Sequence, residues 1–368
     1  MIDLFNNIFR NKRVLVTGHT GFKGSWLSIW LHELGAEVIG IGLEPYSERD
    51  NFVLSGIGQK IHADIRADIR DGQRLKDIFV TYQPEIVFHL AAQPLVRLSY
   101  EQPVATYETN VMGTINVMEA IRSTDSVRVA VMITTDKCYE NREQIWSYRE
   151  DDPMGGYDPY SSSKGAAELA ISSWRRSFFN PKDYGIKHHV AIASARAGNV
   201  IGGGDWAKDR IVPDCIRAIE ADRPIAIRNP KAIRPWQHVL EPLSGYLLLA
   251  SKMWEAPTAF CEGWNFGPRA ESITSVREVA EKIICHYGHG TLEDRSESNA
   301  PHEANLLTLD ITKARVRLGW EPRTDIEQCC ELTAEWYRGY KDGNVYKLCA
   351  NQIYIIKNDS EKTKNCAL

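Results

Sequence analysis

Three groups of residues in this chain have the types and the spacing to do chemistry. In Val14-Leu-Val-Thr-Gly18-His-Thr20-Gly21-Phe22-Lys23-Gly24 an apolar run ends in glycines at fixed intervals and opens into a helix-forming stretch. Gly18 suits a tight turn, Gly21 lets backbone approach a pyrophosphate, and Gly24 lets the helix lie close on its strand. With Thr20, Phe22 and Lys23 they form a cradle for nucleotide phosphates at a helix N-terminus, where free N–H groups and the dipole favour anions. The second group is Tyr160-Ser-Ser-Ser-Lys164, which puts a phenol and an ammonium one helical turn apart on one face. A cation there lowers a phenol's pKa, so Tyr160 could take the proton of a sugar hydroxyl as hydride leaves the same carbon, while Lys164 bonds a nicotinamide ribose. The third is Thr134-Thr135-Asp136-Lys137 at the end of an apolar run, an acid beside a base, which suits elimination. Taken singly each has an ordinary structural reading: a strand-to-helix turn, a chance pair on an amphipathic helix, a solvated Asp-Lys turn. Their joint occurrence is what points to a site.

The elements that must position these groups alternate. Residues 14–17, 38–41, 86–90, 129–134 and 190–195 read as strands, with helices at 25–34, 74–82, 103–122 and 160–178. Alternation of this kind predicts α/β architecture, a parallel sheet covered on both faces. The pattern then loosens into Gly198-Asn199-Val-Ile-Gly202-Gly-Gly204-Asp205-Trp206 and a proline-containing stretch from Pro224 to Pro242, read as the crossing into a smaller lobe. The expected division is a nucleotide-binding domain over 1–195, to which 236–266 returns with a strand at 263–266. A substrate lobe takes 196–235 and 267–350, with helices at 276–287 and 325–340, and 351–368 is a frayed polar tail.

The 368 residues carry a formal charge of -4 with 43% hydrophobic and 25% charged side chains, the balance of an ordinary globular protein, without the basic stripe of a nucleic-acid binder. Residues 1–12 contain no long apolar core and no small-residue cleavage site, so neither membrane insertion nor secretion is expected and a cytoplasmic location is. The eight cysteines (138, 215, 261, 285, 329, 330, 349 and 366) lack metal-type spacing and read as reduced packing thiols. The histidines form no His-x-x-x-His motif, and no metal site is expected. The echo Ala63-Asp64-Ile-Arg-Ala67-Asp68-Ile69-Arg70 is too short to define a repeat.

Several longer stretches together resemble the extended short-chain dehydrogenase/reductase family and, within it, the nucleotide-sugar 4,6-dehydratases. They are Thr17-Gly-x-x-Gly21-Phe22-x-Gly24, His89-Leu90-Ala91-Ala92-Gln93, Thr109-Asn110-Val111-x-Gly113-Thr114, Thr135-Asp136-Lys137, Tyr160-x-x-x-Lys164, Arg196-x-Gly198-Asn199-Val200 and Arg234-Pro235-Trp236-x-His238-Val239. The likeness covers nearly the whole chain. Asp136-Lys137-Cys138-Tyr139, Gly202-Gly-Gly-Asp-Trp206-Ala-Lys-Asp-Arg210 and Arg234-Pro-Trp-Gln-His-Val239 are most similar to the branch acting on CDP-glucose. The resemblance implies a Rossmann-type doubly wound parallel sheet with a smaller C-terminal substrate-binding lobe, bound NAD, a CDP-sugar substrate, and a homodimer or homotetramer paired through helices 103–122 and 160–178. It implies a lyase that forms a 4-keto-6-deoxy sugar by internal hydride transfer, for the deoxysugars of bacterial surface polysaccharide such as lipopolysaccharide O-antigen.

By position in the family's motifs, Tyr160 takes the C4 hydroxyl proton, Thr135 bonds the 4-oxygen, and Asp136 protonates the departing C6 hydroxyl. Relatives acting on dTDP-glucose and GDP-mannose carry Asp-Glu where this chain has Asp136-Lys137. Lys137 therefore inherits the C5-base role and must be neutral to fill it, through burial or nearby Lys164. The resemblance gives Asp68 and Ile69 to the adenine, with Asp64 as a register-shifted rival, and Leu90, Ala91, Ala92 and Gln93 to the cofactor groove, capped by Thr109. Asn199 and Arg234 go to the substrate's pyrophosphate and His302 to its nucleotide. One position departs from the pattern: the acid usual at the end of the second strand is Gly42, with Glu44 two residues later and Arg49 as the near basic residue. NAD is expected over NADP. Two competing readings are a nucleotide-sugar 4-epimerase, which needs no acid for a C6 hydroxyl, and a non-catalytic dinucleotide sensor.

Overall fold

A computed structural model describes residues 5–269, 272–296 and 306–365. β1 (Arg13–Thr17) leads into α1 (Phe22–Glu33), β2 (Glu37–Gly42) into α2 (Asn51–Ser55), β3 (Ala63–Arg66) into α3 (Gly72–Tyr82), and β4 (Ile86–His89) into α4 (Val96–Glu101), α5 (Pro103–Tyr107) and α6 (Gly113–Arg122). After β5 (Val129–Ile133) come a 3-10 turn (Asp136–Cys138) and α7 (Pro159–Ser177). Then follow β6 (Ala191–Arg196), β7 (Val200–Ile201), α8 (Ile211–Glu220), β8 (Ile225–Ile227), β9 (Ile233–Pro235), β10 (Gln237–His238) and α9 (Leu240–Glu255). β11 (Gly263–Asn265), β12 (Ile273–Ser275), α10 (Val276–Tyr287), β13 (Leu292–Asp294), α11 (Ile326–Gly339) and α12 (Val345–Asn365) are the later elements.

Seven strands form one sheet in the order β3-β2-β1-β4-β5-β6-β11, every pair parallel. The strands alternate strictly between two cores. Val14, Val16, Ile86, Phe88, Val129 and Val131 face the core shared with α1 and α9, whereas Leu15, Val87, Ala130 and Met132 face the one shared with α3, α6 and α7. Two-sided burial explains the near-continuous apolar runs of the sequence, and the fold is the doubly wound α/β architecture expected. Strand order reverses between β1 and β4, so the crevice at their C-terminal ends is the place for a ligand.

Several boundaries differ from expectation, each for a local reason. Strand β3 was not anticipated: it is a sheet edge in which Asp64 and Arg66 face outward, so its pattern carries little apolar signal. Helix α1 begins at Phe22 rather than 25, which brings Phe22, Lys23 and Gly24 into its first turn. The expected helix 103–122 is broken by a π-turn over Glu108–Met112, a local widening frequent at functional sites. The expected frayed tail instead forms α12, anchored by buried Cys349, Gln352, Ile353 and Ile356. Among the described residues no helix is long and apolar enough to cross a membrane.

Candidate active site

The crevice at the β1/β4 switch opens into a cavity of ≈ 1390 Å³. At its floor Gly18 takes φ +75°, and a Cβ there would lie 2.8 Å from the Ala91 nitrogen. A Cβ on Gly24 would lie 2.0 Å from the Gly18 carbonyl oxygen, so both positions require glycine. Helix α1 has Gly21 as its N-cap and no side-chain cap. Its first N–H groups are thus left for a ligand rather than satisfied internally, the arrangement that binds phosphate.

The structure brings Gly18, Thr20, Gly21, Phe22, Lys23, Gly24, Asp68, Ile69, Leu90, Ala91, Ala92, Thr109, Thr135, Asp136, Lys137, Tyr160, Lys164, Asn199 and Arg234 to the wall of this one cavity. Gln93 is the exception: its amide is spent on Leu95 and Thr106, and its N–H donates to Asn110 Oδ1 at 2.8 Å. The sequence pattern could not separate a groove residue from one that braces the groove. Of the two register rivals, Asp68 lines the cavity, whereas Asp64 accepts from His19 Nε2 at 2.6 Å and pairs with Arg66. His302 lies outside the described residues.

Two residues of the sequence motifs without an assigned role, Thr17 and Asn110, turn out to hold the site together. Thr17 Oγ1 lies 2.8 Å from His89 Nδ1 and accepts from the Leu90 N–H at 3.1 Å, tying the ends of β1 and β4. Asn110 donates to the Gln93 carbonyl at 3.1 Å and to Ser163 Oγ at 2.9 Å. It thereby couples the loop after β4 to α7, the helix that carries Tyr160 and Lys164.

At the reacting end, Thr135 caps the 3-10 turn and donates its hydroxyl to Asp136 Oδ1 at 2.9 Å. Asp136 is 1% exposed, and its Oδ2 has no hydrogen-bond partner. An unpaired carboxylate oxygen in such burial is costly unless a ligand meets it. Lys137 is partly buried on the same wall. Burial pushes the Tyr160 phenol up to about 12; the Asp136 charge adds to this, while a hydrogen bond with Thr135 and the Arg210 guanidinium oppose it. Lys164, one turn along α7 from Tyr160, lines the same cavity, and Arg210 brings a second cation to that wall. Lys164 is itself pushed down to about 8 by burial, with the charge of Glu168 the first to oppose it. Arg210 reaches the cavity on an ion pair with Asp205 at 2.7 Å. Its only signal in the sequence was the Gly202–Arg210 block, which by itself gave no contact. Burial also lowers Lys23 to about 8, Arg210 and Lys164 adding to the effect and Asp136 opposing it.

The opposite end fits the adenosine half of a dinucleotide without a 2′-phosphate. A Cβ on Gly42 would lie 2.8 Å from Thr20 Oγ1, which leaves no room there for the customary acid. Glu44 lines the cavity and binds Arg66 at 3.1 Å, and Arg66 also pairs with Asp64. The Arg49 guanidinium lies 3.6 Å over the Trp206 ring and is bound to Glu220. Both guanidinium groups near the end of β2 are thus already matched with carboxylates.

A family model described as GDP-mannose 4,6 dehydratase matches residues 15–333 of the chain. The CDP-glucose 4,6-dehydratase of Salmonella typhimurium is 49% identical over 352 residues, 96% of this chain and 97% of that protein. Among solved structures, the dTDP-glucose 4,6-dehydratase of Bacillus anthracis in complex with NAD aligns with a TM-score of 0.74 at 20% identity, covering 90% of this chain and 98% of that one. The epimerase Mth375 of Methanothermobacter thermautotrophicus aligns with a TM-score of 0.77 at 23% identity over 91% and 95% of the two chains. At these identities both structures speak for the fold.

Proposed function

The chain belongs to the GDP-mannose 4,6-dehydratase family of nucleotide-sugar enzymes, and we infer that it is an NAD-dependent CDP-glucose 4,6-dehydratase, a hydro-lyase forming CDP-4-keto-6-deoxyglucose and water. The near-full-length 49% identity supports the substrate. What carries the reaction type is Asp136: a buried carboxyl with an unpaired oxygen, sharing a cavity with Tyr160 and joined to it through Thr135. A 4-epimerase has no use for an acid at C6.

The glycine turn, Lys23, Leu90, Ala91, Ala92 and Thr109 would hold NAD, with Asp68 and Ile69 at its adenine and Lys164 at a ribose. NAD, when bound, supplies the acceptor for the C4 hydride and the source of the hydride delivered to C6, so no outside oxidant is consumed. Tyr160 takes the C4 hydroxyl proton, and Thr135, turning its hydroxyl away from Asp136, donates a hydrogen bond to the 4-oxygen as it becomes a ketone. The ketone acidifies the C5 hydrogen, which Lys137 removes. Asp136 delivers a proton to the C6 hydroxyl so that it departs as water rather than hydroxide. Asn199, whose Nδ2 is buried without a partner, and Arg234 face the same cavity and suit the diphosphate oxygens.

Two broader statements join this proposal. We assign a homodimer on an exposed apolar row, Tyr100, Val104, Tyr107 and Met112, that adjoins α7 through a Tyr107–Ser162 hydrogen bond at 2.8 Å. A cytoplasmic location is supported by free cysteines at 138, 215, 261, 285, 329, 330 and 349.

The test is incubation of the purified protein with CDP-glucose, dTDP-glucose, UDP-glucose and GDP-mannose, followed by the base-induced absorbance of a 4-keto-6-deoxy sugar and by chromatography of the products. CDP-glucose should give the ketone. A C4 epimer, or conversion of a different nucleotide sugar alone, would replace this reading.

A further inference from the structure

Behind the cavity wall lies a buried ionic cluster that the proposed chemistry does not use. Glu168 sits on α7 one turn beyond Lys164 and is 3% exposed; Lys164 is 5% exposed. The Glu168 carboxylate accepts from Thr134 Oγ1, from Ser194 Oγ at 2.8 Å and from Arg196 Nη2 at 2.9 Å. Arg196 in turn donates to the Tyr139 hydroxyl at 2.6 Å and to the Glu150 carbonyl at 3.0 Å, and Tyr139 donates to Asn265 Oδ1 at 2.7 Å. One carboxylate thus joins the residue before Thr135, the catalytic helix, β6 and, through Arg196 and Tyr139, the sheet-edge strand β11.

Such a cluster is expensive to bury, since replacing an ion pair of this kind by apolar residues is often neutral or stabilising. A reason for it lies beside it. Lys164 makes no hydrogen bond or ion pair among the described residues, yet burial works against its charge, and the first group opposing that effect is Glu168. We propose that Glu168 is a positioning residue: its carboxylate, braced by Thr134, Ser194 and Arg196, holds Lys164 as an ammonium ion at the ribose and keeps the Thr135–Lys137 turn in register with Tyr160. The proposal rests on the assignment of Lys164 to cofactor binding made above.

The other groups around the pair leave this role to Glu168. Cys138 on the 3-10 turn, His89 at the end of β4 and Lys23 on α1 face Lys164; Arg196, Arg175, Tyr139 and Cys138 face Glu168. Burial keeps the Cys138 thiol and the Tyr139 phenol high and His89 down at about 3, so all three are neutral near pH 7. Lys23, at about 8, is the one neighbour that titrates in the range of Lys164.

The test is NAD affinity between pH 6.5 and 9.5, read by quenching of tryptophan fluorescence, for the wild type and Glu168→Gln, each also in a Lys23→Met background that removes the overlapping titration. Loss of the counter-charge should move the alkaline break in affinity down by about one pH unit, a roughly fivefold loss at the wild-type break that approaches tenfold above it. Glu168→Asp should recover part of it. Because Glu168→Gln leaves the Arg196 guanidinium buried and unmatched, the double variant Glu168→Gln/Arg196→Met decides the matter if the single one does not fold. An unmoved break in whichever variant folds overturns the proposal. A wild type that turns over no nucleotide sugar, with the break still moved, would sink the assigned activity and leave the positioning role standing.

Discussion

Lys137 stands where the resemblance gives dehydratases acting on dTDP-glucose and GDP-mannose a glutamate, and the proposed chemistry asks it to act as the C5 base. If it is the C5 base, Lys137→Ala should lose about 10²–10⁴-fold in turnover, with CDP-glucose still bound, and should no longer exchange the C5 hydrogen with solvent deuterium, as mass spectrometry would read. Full exchange in that variant would move the role elsewhere. Two histidines make a different prediction. His89 and His238 are buried, and burial lowers both to about 3. In the unfolded chain they titrate near the ordinary 6.5, so below that pH the unfolded state binds more protons. The stability they leave intact at neutral pH is therefore lost as pH falls from about 6.5 toward 3, by about 1.4 kcal/mol per pH unit for each ring. Urea midpoints measured down this range should show the slope, and His238→Gln should remove about half of what His89 and His238 contribute together. The residue scale is also where sequence was most informative. Tyr160 and Lys164 share a helix face whatever the rest of the fold does, and the glycine turn is contiguous. It was least informative about charge: Arg210, far along the chain, acts on Tyr160, and nothing local announces that approach.

At the scale of elements, the acid is aimed by a close contact between two strand ends. A Cβ on Gly198, two residues after β6, would lie 1.9 Å from Asp136 Oδ2, so Gly198→Ala must displace the carboxyl. Misplacing a catalytic group by about 1 Å costs on the order of 10²-fold; kcat should fall by that much and by more than KM changes, since the added Cβ meets the Asp136 carboxyl. A fall in KM alone would contradict the assignment. Helix α7 starts where it does because Asp158 accepts from the Ser161 N–H at 2.9 Å and the Ser161 hydroxyl at 2.6 Å. Asp158→Ala should cost about 1 kcal/mol, seen as a lowered Tm, and should loosen the turn that carries Tyr160. The sequence pattern placed this helix from 160, and the structure adds Pro159 as its first residue with Asp158 as the cap. The same pattern did not place β3, because an edge strand shows half its residues to water and loses the apolar pattern that marks an inner one.

For the whole molecule, the exposed row from Tyr100 to Met112 and the 61% exposed Leu169 on α7 are apolar surfaces that a lone chain would leave in water. Leu169→Glu should convert the proposed dimer to monomers in sedimentation velocity, with the monomer's far-UV dichroism unchanged; an unaltered sedimentation coefficient would place the interface on another face. The sheet explains why one cavity gathers residues from Gly18 to Arg234: strand order 3-2-1-4-5-6 reverses between β1 and β4 and brings the ends of β1, β4, β5 and β6 to one edge. The sequence alone determined the alternating elements, the phosphate turn, the Tyr–Lys pair and the strand-end acid, since each is written in neighbouring residues through a period of 2 or 3.6 or a fixed spacing. Only the tertiary structure decided that Arg210 enters the cavity of Tyr160, that Gln93 braces rather than lines the groove, and that Ser194 and Arg196 close on Glu168. Those relations join residues on different strands and helices, and their distances follow from the order in which the strands pack, which no local pattern encodes.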